Sequence, residues 1–215
     1  MRLPIACFAT HNWVTTSGSC NGIALKPDDD GAHHNLGVTL EEQGKFVEAE
    51  AAYRKVVDLT RYDAEQIELA KLSVLKKANA AAAQFFRDAF NADPKLAEDV
   101  TKGTRYDAAC AAALAGCGRG LDADKLDDRE RSRWRRQALD WLGQDLMWWG
   151  KEVGKGNAQT NASVRECMRH WQTDDDLAGL REPSGLDKLS PDERKECLAL
   201  WKEVAAVLSR AQTTK

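Results

Sequence analysis

The sequence predicts an all-α protein, and three observations favour this fold class. Ala, Leu, Glu, Lys and Arg dominate long stretches of the 215-residue chain, and these are strong helix formers. Only five prolines interrupt those stretches. Apolar residues recur there at three- and four-residue spacing, which is the period of an amphipathic helix. No apolar run approaches the roughly 18 residues that a membrane-spanning helix needs, so no membrane partner is expected.

Charge and cysteine usage restrict the partners and the compartment. The 31 Lys and Arg are balanced by 34 Asp and Glu, and a net charge of -3 argues against a nucleic-acid or anionic membrane surface. We therefore expect a protein or peptide partner. The N-terminal residues make a poor signal peptide and the six cysteines are widely dispersed, which predicts a cytoplasmic protein with reduced thiols.

The chain is predicted to begin with a region that has no helical period. Residues 1–22 contain many Thr, Ser, Gly and Asn, and we expect an unmatched, disordered tail there. Residues 23–28 resemble the last turn of a helical repeat, with Pro27 where such a repeat ends. The segment 23–63 is therefore interpreted as the end of a truncated repeat followed by one complete helical hairpin.

The complete hairpin combines small and large apolar residues at a characteristic spacing. It consists of AHHNLGVTL (32–40), the turn EEQGKF (41–46) and VEAEAAYRKV (47–56). Leu36 and Leu40 share one helix face, and Gly37 permits the second helix to approach closely. Ala49 and Tyr53 repeat this pattern on the second helix. The spacing resembles a tetratricopeptide repeat. The Pro that usually follows the second helix is absent, and Arg61 stands near its place.

This resemblance implies a ligand-binding surface on the first helix. Tetratricopeptide arrays bind extended peptides or partner helices along the concave wall that their first helices form. Asn35 matches a position where many such repeats carry an Asn whose amide holds a peptide backbone. The alternative is that one repeat makes too short a groove and that Asn35 is merely solvated. The predicted wall consists of His34, Asn35, Val38 and Glu41.

Two further hairpins are predicted downstream. Residues 64–97 form a degenerate tetratricopeptide-like hairpin with small, aromatic and small residues in repeat order. Residues 98–150 form another, with helices over 105–116 and 129–149 joined by a lengthened turn over 118–128. The repeat-order residues of the degenerate hairpin are Ala82, Phe86, Ala89 and Pro94.

The remaining residues, 151–215, are interpreted as a linker and a C-terminal helical cap. Three glycines predict a linker over 150–161, followed by a helix over 164–172. A last helix over 192–211 begins with Ser190 as its cap and Glu193 three residues later. Solenoid arrays need such a terminal unit because their last repeat otherwise exposes an apolar face.

Several blocks extend the resemblance over most of the chain. Together they are similar to the C-terminal tetratricopeptide region of planctomycete-type bacterial serine/threonine protein kinases, which implies a kinase domain N-terminal to the repeats. No Gly-rich loop, His-Arg-Asp or Asp-Phe-Gly motif occurs in this sequence. The blocks are FRDAFNADPKLA (86–97), RYDAACAAALA (105–115), KLDDRER (125–131), RQALDWL (136–142) and RHWQTDDDLAGLR (169–181).

These observations predict a non-catalytic protein-interaction module that serves as a scaffold or docking region. Its partners would include peptide ligands and, by the resemblance, a kinase domain or its substrates. One alternative is a detached part of a kinase whose catalytic domain is encoded upstream. Another is a structural scaffold that oligomerises through its first complete repeat.

Candidate chemical sites are few. Cys167 and His170 share a helix face, but a closed zinc site needs two more ligands at recognisable spacing, so no metal and no cofactor are predicted. Trp134, Trp141 and Trp148 recur every seven residues. Core packing is the favoured explanation for these tryptophans, and an aromatic ligand cage is the alternative.

Overall fold

The computed structural model describes residues 27–60, 63–75, 77–153, 155 and 158–213, and this part of the chain is all-α. It contains ten α-helices and short 3-10 turns, and no strand occurs in the described ranges. The chain divides into two compact units at residues 62 and 63. The predicted tail over 1–22 lies outside the described residues, as does most of the predicted repeat end over 23–28.

The first unit is a helical hairpin. Helix α1, Asp30–Glu42, packs against α2, Phe46–Thr60. The Asp29 side chain caps α1 by accepting a hydrogen bond from the backbone N–H of Ala32 at 2.9 Å. Gly37 is buried in α1, and a Cβ built there would lie 2.6 Å from Cε1 of Tyr53. The close approach predicted for Gly37 is therefore present in the hairpin.

The second unit begins with two packed helices and an alanine-rich layer. Helix α3, Asp63–Leu75, packs against α4, Asn79–Ala92, and α4 packs against α5, Thr104–Gly116. Residues 108–116 of α5 are all buried. Because α5 packs against α4 and also against the long helix α6, Asp128–Val153, small side chains are required on most of its circumference.

The lengthened turn between α5 and α6 docks on the start of α4. Asp122 accepts hydrogen bonds from the backbone N–H groups of Ala80, at 3.2 Å, and Ala81, at 2.9 Å. The Asn79 side chain donates to the Arg119 carbonyl oxygen at 2.9 Å. Asp122 thus satisfies first-turn N–H groups of a helix that precedes it by some 40 residues.

Four helices complete the second unit: α7, Ala158–Thr173; α8, Ala178–Arg181; α9, Pro183–Leu186; and α10, Pro191–Thr213. Helix α10 packs against both α6 and α7. It begins with the predicted capping pair, in which Glu193 N–H donates to Ser190 Oγ at 3.3 Å and Ser190 N–H donates to Glu193 Oε2 at 3.1 Å. No helix in the described ranges is both long and apolar enough to cross a membrane.

The predicted linker over 150–161 is too long, because helices occupy both of its ends. Helix α6 continues through Gly150 to Val153, and α7 already begins at Ala158. Trp149 and Val153 are both buried, so the core-facing stripe of α6 extends past the glycine. The packing free energy of these side chains outweighs the modest helix penalty of one glycine, about 1 kcal/mol relative to Ala.

Candidate functional site

The four residues predicted to line the ligand-binding wall of α1 do not share one environment. The ring of His34 makes an edge contact with Tyr53 of α2, with ring centroids 6.0 Å apart. Glu41 accepts a hydrogen bond from Tyr53 Oη at 3.2 Å. By contrast, Asn35 is exposed and Val38 retains 38% of its accessible surface. His34 and Glu41 thus take part in contacts between the two helices, whereas Asn35 and Val38 face solvent within this unit.

A cleft of about 550 Å³ in the second unit is the better-formed candidate site. Its walls are the start of α5, the C-terminal half of α6 and the length of α7. Aromatic rings and carboxylates predominate among the functional groups that line it. These groups are Tyr106, Asp107, Asp145, Trp148, Trp149, Glu152, His170 and Trp171.

Packed aromatic rings form much of the cleft wall. Tyr106 stacks on Trp171 with ring centroids 5.4 Å apart and planes 16° apart. On α6, Trp148 and Trp149 meet edge to face with ring centroids 4.8 Å apart. Trp171 and Trp149 are buried, whereas Trp148 is half-buried and accessible from the cleft. The rings therefore have fixed positions before any ligand arrives.

Asp145 brings a carboxylate into the aromatic cleft. It lies on α6 with only 1% of its surface exposed, and its Oδ1 accepts a hydrogen bond from Arg105 Nη1 at 2.8 Å. Burial raises the pKa of Asp145 to about 6, and the nearby Arg105 guanidinium opposes that rise. Arg105 Nε is also buried and has no hydrogen-bond partner within the described residues. This ion pair is therefore joined by one hydrogen bond rather than by a bidentate fork.

A second polar contact fixes the position of Tyr106 in the cleft wall. Tyr106 Oη donates a hydrogen bond to Asp174 Oδ2 at 2.7 Å, and His170 Nε2 lies 3.3 Å from the same oxygen. Burial is the main cause that raises the pKa of Tyr106, and the Asp174 carboxylate adds to it, so the phenol stays protonated. Asp174 therefore holds the orientation of Tyr106 and, with it, the stacked pair of rings.

The predicted pair Cys167 and His170 does lie together, since both residues line this cleft. Burial raises the pKa of the Cys167 thiol to about 12, with a contribution from Asp145, so the thiol is protonated at neutral pH. Metal coordination by Cys requires the thiolate. Across the described part of the chain, no group of three or more His, Cys, Asp and Glu side chains is arranged to hold a metal ion.

The three tryptophans at seven-residue spacing differ in burial, although all three pack in or against the core. Trp134 and Trp141 are buried in the core, which agrees with the packing interpretation. Trp148 instead lines the cleft. The seven-residue spacing drifts slowly around a helix of 3.6 residues per turn, so the same stripe gradually leaves the core face.

Comparison with known protein families and with curated proteins finds no match to this chain. The resemblance to the kinase-associated repeats therefore depends on the sequence blocks alone. Family relationships assign no residue of the cleft a role, and its chemistry must be argued from its geometry.

Sequence reasoning did not group Tyr106, Asp145 and Trp148, which come from two helices. One signal was available in α6, where Asp145 interrupts an apolar stripe between Trp141 and Trp149. A carboxylate in a core-facing stripe is rarely buried without a partner, so it indicates a specific polar contact or a ligand site. Nothing in the linear sequence indicated that the start of α5 would supply that partner.

Proposed function

We propose that this chain is a non-catalytic protein-interaction module built from tetratricopeptide-like hairpins in a solenoid with a C-terminal helical cap. Three successive helix pairs support the proposal, since α1 packs on α2, α3 on α4 and α5 on α6. The contact of Gly37 with Tyr53 is of the kind that the repeat spacing predicts. Like the kinase tails that it resembles, the module would serve as a docking region or scaffold.

The observation that carries this proposal is the cleft between α5, α6 and α7. Trp and Tyr are enriched among the residues that dominate binding at protein interfaces, because they bury a large apolar area and keep a polar atom for hydrogen bonding. Here several such rings line one preformed opening, which is a pocket for an anchoring side chain of a partner. Asn35 and Val38 supply a second exposed contact surface in the first unit.

The proposal predicts selection of peptides that depend on the cleft. The full chain is immobilised and used to select from a random peptide library, and the enriched peptides are titrated against Trp148→Ala. Met147→Ala is the matched control, because Met147 is adjacent on α6, is exposed and lies outside the cleft. We expect the Trp148 variant to lose at least about ten-fold in affinity, since truncating a residue that dominates an interface costs about 2 kcal/mol or more.

Two outcomes would contradict the proposal. One is a library selection that enriches no common peptide sequence. The other is a set of enriched peptides that bind both variants and the wild-type chain equally well, since the cleft would then play no part in recognition.

A further inference from the structure

We infer that the cleft between α5, α6 and α7 binds an organic cation, an alkylammonium or guanidinium group, between its aromatic rings and carboxylates. A basic side chain of the partner protein is one source of this group, and a free amine is the other. If the cation is a side chain of a partner protein, the inference deepens the proposed function and rests on it.

The accessible aromatic surface of the cleft favours a cation. A cation within about 6 Å of a Trp or Tyr ring centroid is attracted by the negative ring face, and the attraction grows as water is excluded. Tyr106 and Trp148 are half-buried and give this opening its accessible aromatic surface, and the buried Trp171 and Trp149 pack against them. The ring positions are held by packing and by the hydrogen bond from Tyr106 to Asp174, so little order has to be gained on binding.

The charges that line the cleft also favour a cation. Asp107, Asp145 and Glu152 contribute three carboxylates, and no Lys or Arg from the described ranges is among the lining residues. Arg105 and Lys155, which lie outside the lining, pair with Asp145 and Glu152 respectively. Lys155 is largely exposed, so solvent screens its pairing.

Asp145 is the most deeply buried of the three carboxylates, and its second oxygen favours a positively charged neighbour. Arg105 donates to Oδ1, and within the described residues no hydrogen bond reaches Oδ2. A carboxylate oxygen in an apolar, aromatic surrounding is stabilised by a positively charged donor far more than by a neutral one. Arg105 and Lys155 offset two of the three carboxylates, and Asp107 makes no ion pair with a described residue, so the lining keeps a negative charge that favours a cation over an anion.

The test compares peptides that differ only in the charge of one side chain. Three matched pentapeptides carry Lys, Arg or norleucine at the centre, and each is titrated into the full chain at pH 7.5. Binding is followed by the indole N–H resonances of Trp148 and Trp149. We expect the Lys and Arg peptides to bind at least about ten-fold more tightly than the norleucine peptide, and added salt to weaken only these two.

Two substitutions locate the site without disturbing the core. Asp107→Asn removes a carboxylate from the rim of the cleft, and Asp140→Asn is the matched control because Asp140 is exposed on α6 and lies outside the cleft. We expect the first variant to bind the Lys peptide several-fold more weakly and the second to bind it as the wild type does. Circular dichroism melts of both variants confirm that the fold is retained.

A free-amine titration separates the two sources of the cation. Butylammonium that binds as tightly as the Lys peptide supports the cation site and assigns it to free amines, whereas much weaker binding supports a basic side chain. Equal affinity of the Lys and norleucine peptides overturns the inference. Library peptides that depend on Trp148 but lack basic residues also overturn it while leaving the proposed function intact. Butylammonium binding without any enriched peptide supports the cation site and contradicts the proposed function.

Discussion

The crossing of α5 and α6 at Gly116 is expected to be intolerant of even one methyl group. A Cβ built on Gly116 would lie 2.6 Å from Arg135 Cγ, 2.7 Å from the Arg135 backbone nitrogen and 2.9 Å from the Arg131 carbonyl oxygen. Two of these three atoms belong to the backbone of α6, so no change of rotamer relieves the overlap. Gly116→Ala therefore forces the two helices apart.

The expected loss of stability is about 1–3 kcal/mol, which is the usual cost of overpacking a well-packed contact. The higher helix propensity of Ala offsets up to about 1 kcal/mol of this loss. The offset is smaller at Gly116 because this residue is the last one of its helix. Separation of the helices also weakens the hydrogen bond from Arg135 Nη1 to the Gly116 carbonyl oxygen, which is 2.6 Å long. Each kcal/mol of lost stability lowers the Tm by about 2–4 °C.

Urea unfolding followed by tryptophan fluorescence measures this effect, because six of the seven tryptophans lie in the second unit. Gly143→Ala is the matched control: Gly143 lies within α6, and a Cβ there meets no atom within 4 Å. We expect the control to gain about 0.5–1 kcal/mol. If Gly116→Ala is as stable as the wild type, or gains as much as the control does, the close crossing described here is incorrect.

Two further predictions concern the first hairpin and the start of α10. Gly37→Ala should destabilise the first unit by about 1–3 kcal/mol because the added methyl group overlaps the buried Tyr53 ring, whereas Gly31→Ala should not. Hydrogen exchange of the α2 amides measures this difference, and equal protection in the two variants would contradict the prediction. Burial tends to raise the pKa of Glu193, but hydrogen bonds from Arg135, Ser190 and Ser132 outweigh it and lower the pKa to about 2. These contacts contribute up to about 3 kcal/mol, less what solvent screening removes, and the contribution is present above the unfolded pKa near 4.5 and is lost as the pH falls towards 2. Glu193→Gln should therefore be less stable than the wild type at pH 7 and should approach it near pH 2, and equal stability of the two proteins at pH 7 in urea unfolding would contradict the prediction.

Helices and their caps were predictable because their causes are local. The hydrogen bonds of a helix join residues four apart, and the period of apolar residues records which face is buried. The cap at Ser190 and Glu193 and the contact of Gly37 with the second helix followed from spacing alone. The α1 surface was predicted instead from the resemblance to tetratricopeptide repeats, and the structure separates its exposed members, Asn35 and Val38, from the pair that contacts Tyr53.

The linker and the cleft were not accessible to the same reasoning. A glycine at 150 predicts a weak helix position, yet Trp149 and Val153 bury enough surface to carry α6 past it. Likewise, Asp122 was recognisable as a loop residue but not as the cap of α4, since the two are some 40 residues apart in sequence. Such partners are assigned by packing between distant segments.

Local periodicity and composition were thus sufficient to establish an all-α chain and the positions of most of its helices. The juxtaposition of Tyr106, Asp145 and Trp148 depends on how α5, α6 and α7 cross. Crossing angles and distances are set by which side chains interdigitate across the whole interface, and the alanine-rich surface of α5 permits an approach that no single residue specifies. The aromatic and acidic cleft is therefore a property of tertiary packing, even though each of its residues is visible in the sequence.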